Sequence, residues 1–212
     1  NYTLTDISYT AEAEVALIGN GNQDVTGNTA GGLIRTGANA ILYIDNVGLT
    51  SNLAGNILDC AGQSVWLDNS TIESADSIGL DITNGCQAHV RSSTIADHGS
   101  DAISVDGNAT TLELINSFVA GANDQICIDI TDGSADILYR TIGANFGTSA
   151  GIRCNAGGDA TVRNSIVVSR SADPEIACAG ITISGTATEG TNGSGQNTGA
   201  VQDAWFANYD NG

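Results

Sequence analysis

The sequence predicts an all-β chain, a single-stranded right-handed parallel β-helix with about seven coils of 23–25 residues, and three observations predict it. First, the segments IDNVGL, LDNSTI, VRSSTI, LINSFV, ILYRTI and VRNSIV end at Leu49, Ile72, Ile95, Val119, Ile142 and Val167, spaced by 23, 23, 24, 23 and 25 residues. Second, apolar residues alternate within each unit, at Ile44, Leu67, Val90, Leu114, Ile137 and Val162 and two positions earlier at Leu42, Val65, Ala88, Leu112, Ala135 and Ala160. A period of two describes a half-buried strand, and no helical period competes with it. Third, one corner position reads Asn46, Asn69, Ser92, Asn116, Tyr139 and Asn164. Amides stacked on successive coils can hydrogen-bond to one another up a ladder.

The elements follow in chain order. Residues 1–38 are expected to hold an N-terminal capping strand and a first coil, because a solenoid must cover its open ends. Residues 39–185 carry the repeats. After each first block comes a variable loop, then a second apolar block aligned as Leu58, Ile78, Ile103, Ile126, Ile152 and Ile176, with Cys60, Leu80, Val105, Ile128, Cys154 and Cys178 two residues later. A turn follows near Gly62, Gly85, Gly107, Gly133, Gly158 and Gly185, where a positive φ is expected. Residues 186–212 read as a polar loop and an aromatic cap containing Trp205, Phe206 and Tyr209.

Composition narrows the function. The 212 residues include 27 Gly, one Pro and no Met, and 24 acids against six arginines give a formal net charge of −18. Such a surface repels phosphate backbones and anionic headgroups, so nucleic acid and membrane surfaces are not expected partners. No apolar run is long enough to span a bilayer as a helix.

The hexapeptide DSIGLD (76–81) returns as DAISVD (101–106) and DQICID (124–129). Asp76 and Asp81 lie roughly 16 Å apart on one extended strand, too far for a retaining-glycosidase pair at roughly 5 Å. Aligned by sequence, Asp81, Asp106 and Asp129 form a vertical stripe continued by Asn155, which makes them candidates to share calcium, with a solvated acidic face as the alternative. Cys60, Cys154 and Cys178 are expected to point inward, Cys127 outward, and Cys86 to lie in a corner. Cys154 and Cys178 fall on adjacent coils. A stacked thiol pair and a disulfide both fit there, the roughly 4.8 Å strand spacing favouring the stack.

The unit [VL]-x-[NS]-S-T-[IV] followed by D-x-I-x-[LVI]-D, with VWLDNSTIESADSIGLDITNG as its cleanest copy, resembles the pectin-lyase-like superfamily of right-handed parallel β-helix proteins. The closing NSIVVSRSADPEIACAGITISG and GAVQDAWFANYDNG are similar to the ends of large secreted, surface-attached bacterial β-helix proteins, which implies a piece of a longer surface protein. The enzymes of the superfamily carry signatures that this chain does not match. NDQICID is a faint echo of a paired-Asp coil, His98 lies in DHGSD rather than G-H-G, no lysine can complete R-x-K, and VWLDN has Asn69 where a lyase has His.

No catalytic residue is therefore assigned, and Trp66, Asp68, His89 and His98 are expected to be surface or structural residues. The expected function is that of a non-catalytic, extracellular structural or adhesive module at a bacterial cell surface, displaying loops to carbohydrate or a surface protein. A polysaccharide-binding or polysaccharide-degrading protein is the first alternative. A filament subunit associating end to end is the second.

Overall fold

The computed structural model describes residues 2–5, 9–11, 13–28, 32–51, 54–74, 76–96, 98–122, 124–144, 150–169 and 174–188. They form an all-β parallel solenoid of about six turns, in which no helix occurs among the described residues. The loop residues 145–149 and 170–173, single or paired residues of the other variable loops, and the expected aromatic cap with Trp205, Phe206 and Tyr209 lie outside them.

Each full coil contributes three strand segments, so the solenoid has three faces. The first face stacks the segments Ile41–Asp45, Ser64–Asp68, Gln87–Arg91, Thr111–Ile115, 134–138 and 159–163, paired parallel and in register. The second face stacks 48–51, Thr71–Ser74, Thr94–Ala96, Phe118–Ala120, Thr141–Ala144 and Ile166–Ser169. The third stacks Ile34–Thr36, Leu58–Cys60, Leu80–Ile82, Ile103–Val105, 128–130 and 152–154. At the N-terminus, Tyr2–Thr5 pairs parallel with 25–28 and Tyr9–Ala11 with Ile34–Thr36, adding a partial coil to the first full one.

Alternation produces the core. Leu42, Ile44, Val65, Leu67, Val90, Leu114, Ile137 and Val162 turn inward from the first face, and Leu49, Ile72, Ile95, Val119, Ile142 and Val167 from the second. The third face supplies Leu58, Leu80, Ile103, Ile128, Ile152 and Ile176. At about 25 cal/mol per Å² of apolar surface removed from water, this continuous stack is the main stabilising term.

The corner between the first and second faces explains the asparagine column. Asn46, Asn69, Ser92, Asn116, Tyr139 and Asn164 have φ of 64°, 47°, 48°, 50°, 55° and 49°. Asparagine tolerates this left-handed conformation better than most residues, so backbone shape dictates its use here. The expected amide-to-amide ladder is not what forms. Asn69 Nδ2 donates to Asp45 Oδ1 at 3.1 Å, and Asn116 Nδ2 to Ser92 Oγ at 3.3 Å.

The continuous ladder is instead one residue later, on serine hydroxyls. Ser70, Ser93 and Ser117 accept the backbone N–H of Val47, Ser70 and Ser93 respectively, each at 3.1 Å, and Ser165 accepts Arg140 N–H at 3.2 Å. The same hydroxyls donate to carbonyls two residues back, as Ser70 does to Asp68 and Ser93 to Arg91, both at 2.7 Å. A buried corner thereby satisfies backbone groups that cannot pair in a sheet. Arg140 interrupts this column. It is 3 % exposed, Nη1 donates to Tyr139 O at 2.9 Å, and Nε and Nη2 meet no acceptor among the described residues. Burial pulls its guanidinium down to about 9.

The third face corrects the sequence alignment by two residues in two coils. Leu80 and Ile128, not Ile78 and Ile126, stand level with Leu58 and Ile103. The apolar run in DSIGLDI and DQICIDI extends past the second acid to Ile82 and Ile130, both fully buried, whereas DAISVD ends directly at Gly107. The core pulls the longer runs inward by one strand repeat. The turn glycines also divide: Gly85, Gly107 and Gly133 have the expected positive φ, at 76°, 113° and 110°. Gly185, with φ 58°, follows Asn164 in the left-handed corner column instead. Gly62 and Gly158 are absent from the positive-φ set, and each is needed because a Cβ would strike the carbonyl of a neighbouring coil.

Candidate functional site

Three clusters of chemistry-bearing residues arise from this scaffold. On the first face, register places Tyr43, Trp66, His89, Glu113 and Asp136 in one outward column. Rings one strand spacing apart stack readily. Trp66 lies 6.4 Å from Tyr43 and 3.9 Å from His89 between ring centroids, with interplanar angles of 18° and 14°. The Arg91 guanidinium sits 5.5 Å from the Trp66 centroid. His89 Nδ1 and Arg91 Nη2 each approach Glu113 Oε2 at 3.0 Å, and Arg163 Nη2 holds Asp136 at 2.7 and 2.9 Å. His89 first, then Arg91, holds the Glu113 carboxyl below its usual range. Both expected surface residues of this column, Trp66 and His89, are thus tied into one stack in which ring faces cover one another and ring edges meet solvent.

On the third face lie the candidate calcium acids, and register does not assemble them as expected. The outward column reads Arg35, Asp59, Asp81, Ser104, Asp129 and Arg153. Asp106 is displaced from it, because its backbone N–H bonds Ile82 O at 2.9 Å, a step beyond the Val105/Ile82 pair. Asp59 accepts Arg35 Nε at 2.9 Å, and Asn56 Nδ2 bridges Asp59 and Asp81 at 2.9 and 3.2 Å. Arg153 forks onto both oxygens of Asp129 at 2.9 and 2.7 Å, while Asn155 Nδ2 donates to Asp129 Oδ1 at 3.3 Å. Burial raises the Asp81 carboxyl above its usual range, with Asp59 and Asp106 adding to the effect and a hydrogen bond from Ser104 opposing it. Asp101 is likewise raised by burial, although Ile126 N–H donates to it at 3.1 Å. The column is therefore three acids, interrupted once by Ser104, with an arginine at each end. No group of three or more acids, histidines or cysteines suited to a metal occurs among the described residues.

The interior holds the third cluster. Cys154 and Cys178 form a disulfide with Cα atoms 4.6 Å apart. Cys60 and Cys86 form another at 5.9 Å, which joins an inward rung to the corner of the next coil. Cys127 corrects a further expectation: it is fully buried rather than outward, and desolvation pushes its thiol up to about 12. In a core position beside Gly121, it behaves as a small apolar residue. His98 is fully buried as well, its imidazole filling the space a side chain at Gly79 would occupy. Neither ring nitrogen makes a hydrogen bond of good geometry among the described residues, and desolvation lowers the ring to about 4 against a weaker opposing pull from the Ile72 backbone.

A polar cleft of about 110 Å³ opens at the first-to-second-face corner, lined by Gly21, Gln23, Asp24, Asn46, Val47, Gly48, Asn69 and Thr71. Sequence reasoning missed it. Its signal was the extra GNGN at 19–22, where later coils have one corner residue.

Comparisons with family models, with curated proteins and with solved structures each find no match.

Proposed function

We propose that this chain is a rigid, non-catalytic module of an extracellular or cell-surface protein, a stalk that positions its variable loops for adhesion. What carries the reading is the closure of charged side chains between coils. Asp59 is held by Arg35, Asp129 by Arg153, Asp136 by Arg163, and Glu113 by His89 and Arg91. A carboxylate held in this way braces two rungs and is poorly placed to activate water or protonate a leaving group. Two disulfides linking neighbouring coils favour an oxidising compartment such as the cell exterior. Membership of the pectin-lyase-like superfamily, on the strength of the repeat unit, and a bacterial surface origin, on the strength of the closing segments, belong to this proposal.

The experiment incubates the protein with uronate polysaccharides, following unsaturated products and new reducing ends, and measures adhesion of protein-coated beads to polysaccharide and cell surfaces. Bead adhesion without product formation supports the module. Turnover sinks it in favour of the degrading alternative. Fibres in negative stain, with no adhesion, favour the filament subunit.

A further inference from the structure

The cleft beside the first corner is shaped by an irregularity that the rest of the solenoid does not share. Residues 19–22, Gly-Asn-Gly-Asn, stand opposite the single residue Asn46, between the pairs Ile18/Asp45 and Gln23/Val47. Such a bulge re-aims the side chains beside it. Gly21 has φ +95°, and Asn20 N–H is taken up by Gln23 Oε1 within the bulge. Gly48 opens the opposite wall: a Cβ there would collide with Asp24 Oδ1 and lie 3.3 Å from Thr71 Oγ1. Asp24 and Thr71 therefore point oxygens into the space that Gly48 leaves.

The two amides lining the cleft are oriented by bonds made elsewhere. Asn46 Nδ2 donates to Gly19 O at 3.5 Å and Asn69 Nδ2 to Asp45 Oδ1 at 3.1 Å. Each amide nitrogen has one N–H committed in this way, which leaves the carbonyl oxygen and one N–H, and Asn46 presents Oδ1 at 3.4 Å and Nδ2 at 3.6 Å to the position of a Cβ on Gly21. The oxygens these lining residues carry are one carboxylate, one hydroxyl and two amide carbonyls.

We propose that this cleft is a binding site for a hard divalent cation of the size of calcium, held by Asp24, Asn46, Asn69 and Thr71, with water completing its shell. Calcium takes six to eight oxygens in flexible geometry, and neutral oxygens with a single carboxylate give the weak binding of extracellular modules, Kd about 10⁻⁴ to 10⁻³ M. The field of a chain with formal charge −18 concentrates cations at its surface. Gln23 Oε1 already accepts Asn20 N–H and is not counted among the four ligands. The site is separate from the Asp81/Asp129 stripe, which lies on the third face.

The test titrates calcium chloride into the intact, chelator-treated chain by calorimetry at constant ionic strength. One calcium per chain with saturable binding is expected. Asp24→Asn weakens it at least about tenfold, while Thr71→Asp, which adds a carboxylate to the same space, strengthens it about tenfold. Asp81→Asn/Asp129→Asn leaves it unchanged. No saturable binding up to about 10 mM overturns the proposal, as does wild-type affinity in both Asp24→Asn and Thr71→Asp. Loss of binding in the Asp81/Asp129 double variant overturns it too, by moving the ion to the other face.

Discussion

Replacing Ser93 by alanine removes one hydroxyl from the middle of the buried serine ladder and nothing else. In the native chain this oxygen accepts Ser70 N–H at 3.1 Å and donates to Arg91 O at 2.7 Å, with a longer approach to Leu67 O at 3.3 Å. Ser70 and Ser93 are 2 % and 3 % exposed, so water cannot replace the lost partner. A buried N–H left without an acceptor costs about 1–3 kcal/mol, so Ser93→Ala is expected to destabilise by about 2 kcal/mol. For a chain of this length that lowers Tm by about 4–8 °C. Ser93→Thr is the rescue, because Thr186 already serves this column through its hydroxyl, 3.2 Å from Ser184 O. Both variants are compared by thermal melting with the disulfides intact. Ser93→Ala within about 0.5 kcal/mol of the native chain would refute the claim that the hydroxyl ladder carries the corner.

Three further outcomes are expected. Cys60→Ser/Cys86→Ser opens a link across 26 residues and costs about 3–4 kcal/mol in the chain-entropy account, read as a fall in Tm without reductant, so that the 24-residue link Cys154–Cys178 stays closed in both proteins. His98 is depressed from 6.5 to about 4, so its neutral form supports the fold fully above pH 6.5, and that support drains away as pH falls towards 4. The loss approaches about 3 kcal/mol. Asp81 and Asp101, whose carboxyls are raised, act with the opposite sign, so the native chain minus His98→Leu isolates the histidine in a stability-versus-pH series; identical slopes for the two would refute it. Arg140→Ser restores the serine column and removes a buried guanidinium with two nitrogens lacking acceptors, offset by lost packing of its stem, for a net gain of about 1 kcal/mol in urea unfolding.

Much of the architecture was legible because a solenoid repeats its physics every coil. Period-two apolar positions located the first and second faces residue by residue, and the asparagine column marked the corner, although its cause is a left-handed backbone rather than an amide ladder. The serine ladder was in plain view, in the serine after Asn69, Ser92, Asn116 and Asn164, yet column reading gave it no role. The third face was misaligned at Ile78 and Ile126 because its acids repeat in sequence while the core registers on Ile82 and Ile130. Contacts between different repeat positions stayed hidden. Cys60 with Cys86, and His98 with Gly79, join positions that no periodic alignment compares. The cleft arose from a departure from the repeat, which a search for regularity passes over.

The register of the third face ties these observations together, since it splits the acids, pairs Asp129 with Arg153 and dissolves the expected stripe. Paired cysteines in a Cys127→Ser background, treated with a short thiol cross-linker, test it directly. Asp81→Cys/Ser104→Cys is expected to cross-link efficiently, because those positions are opposed on adjacent strands, and Asp81→Cys/Asp106→Cys is expected to cross-link far less. Preferential linking of Asp81→Cys with Asp106→Cys would contradict the account.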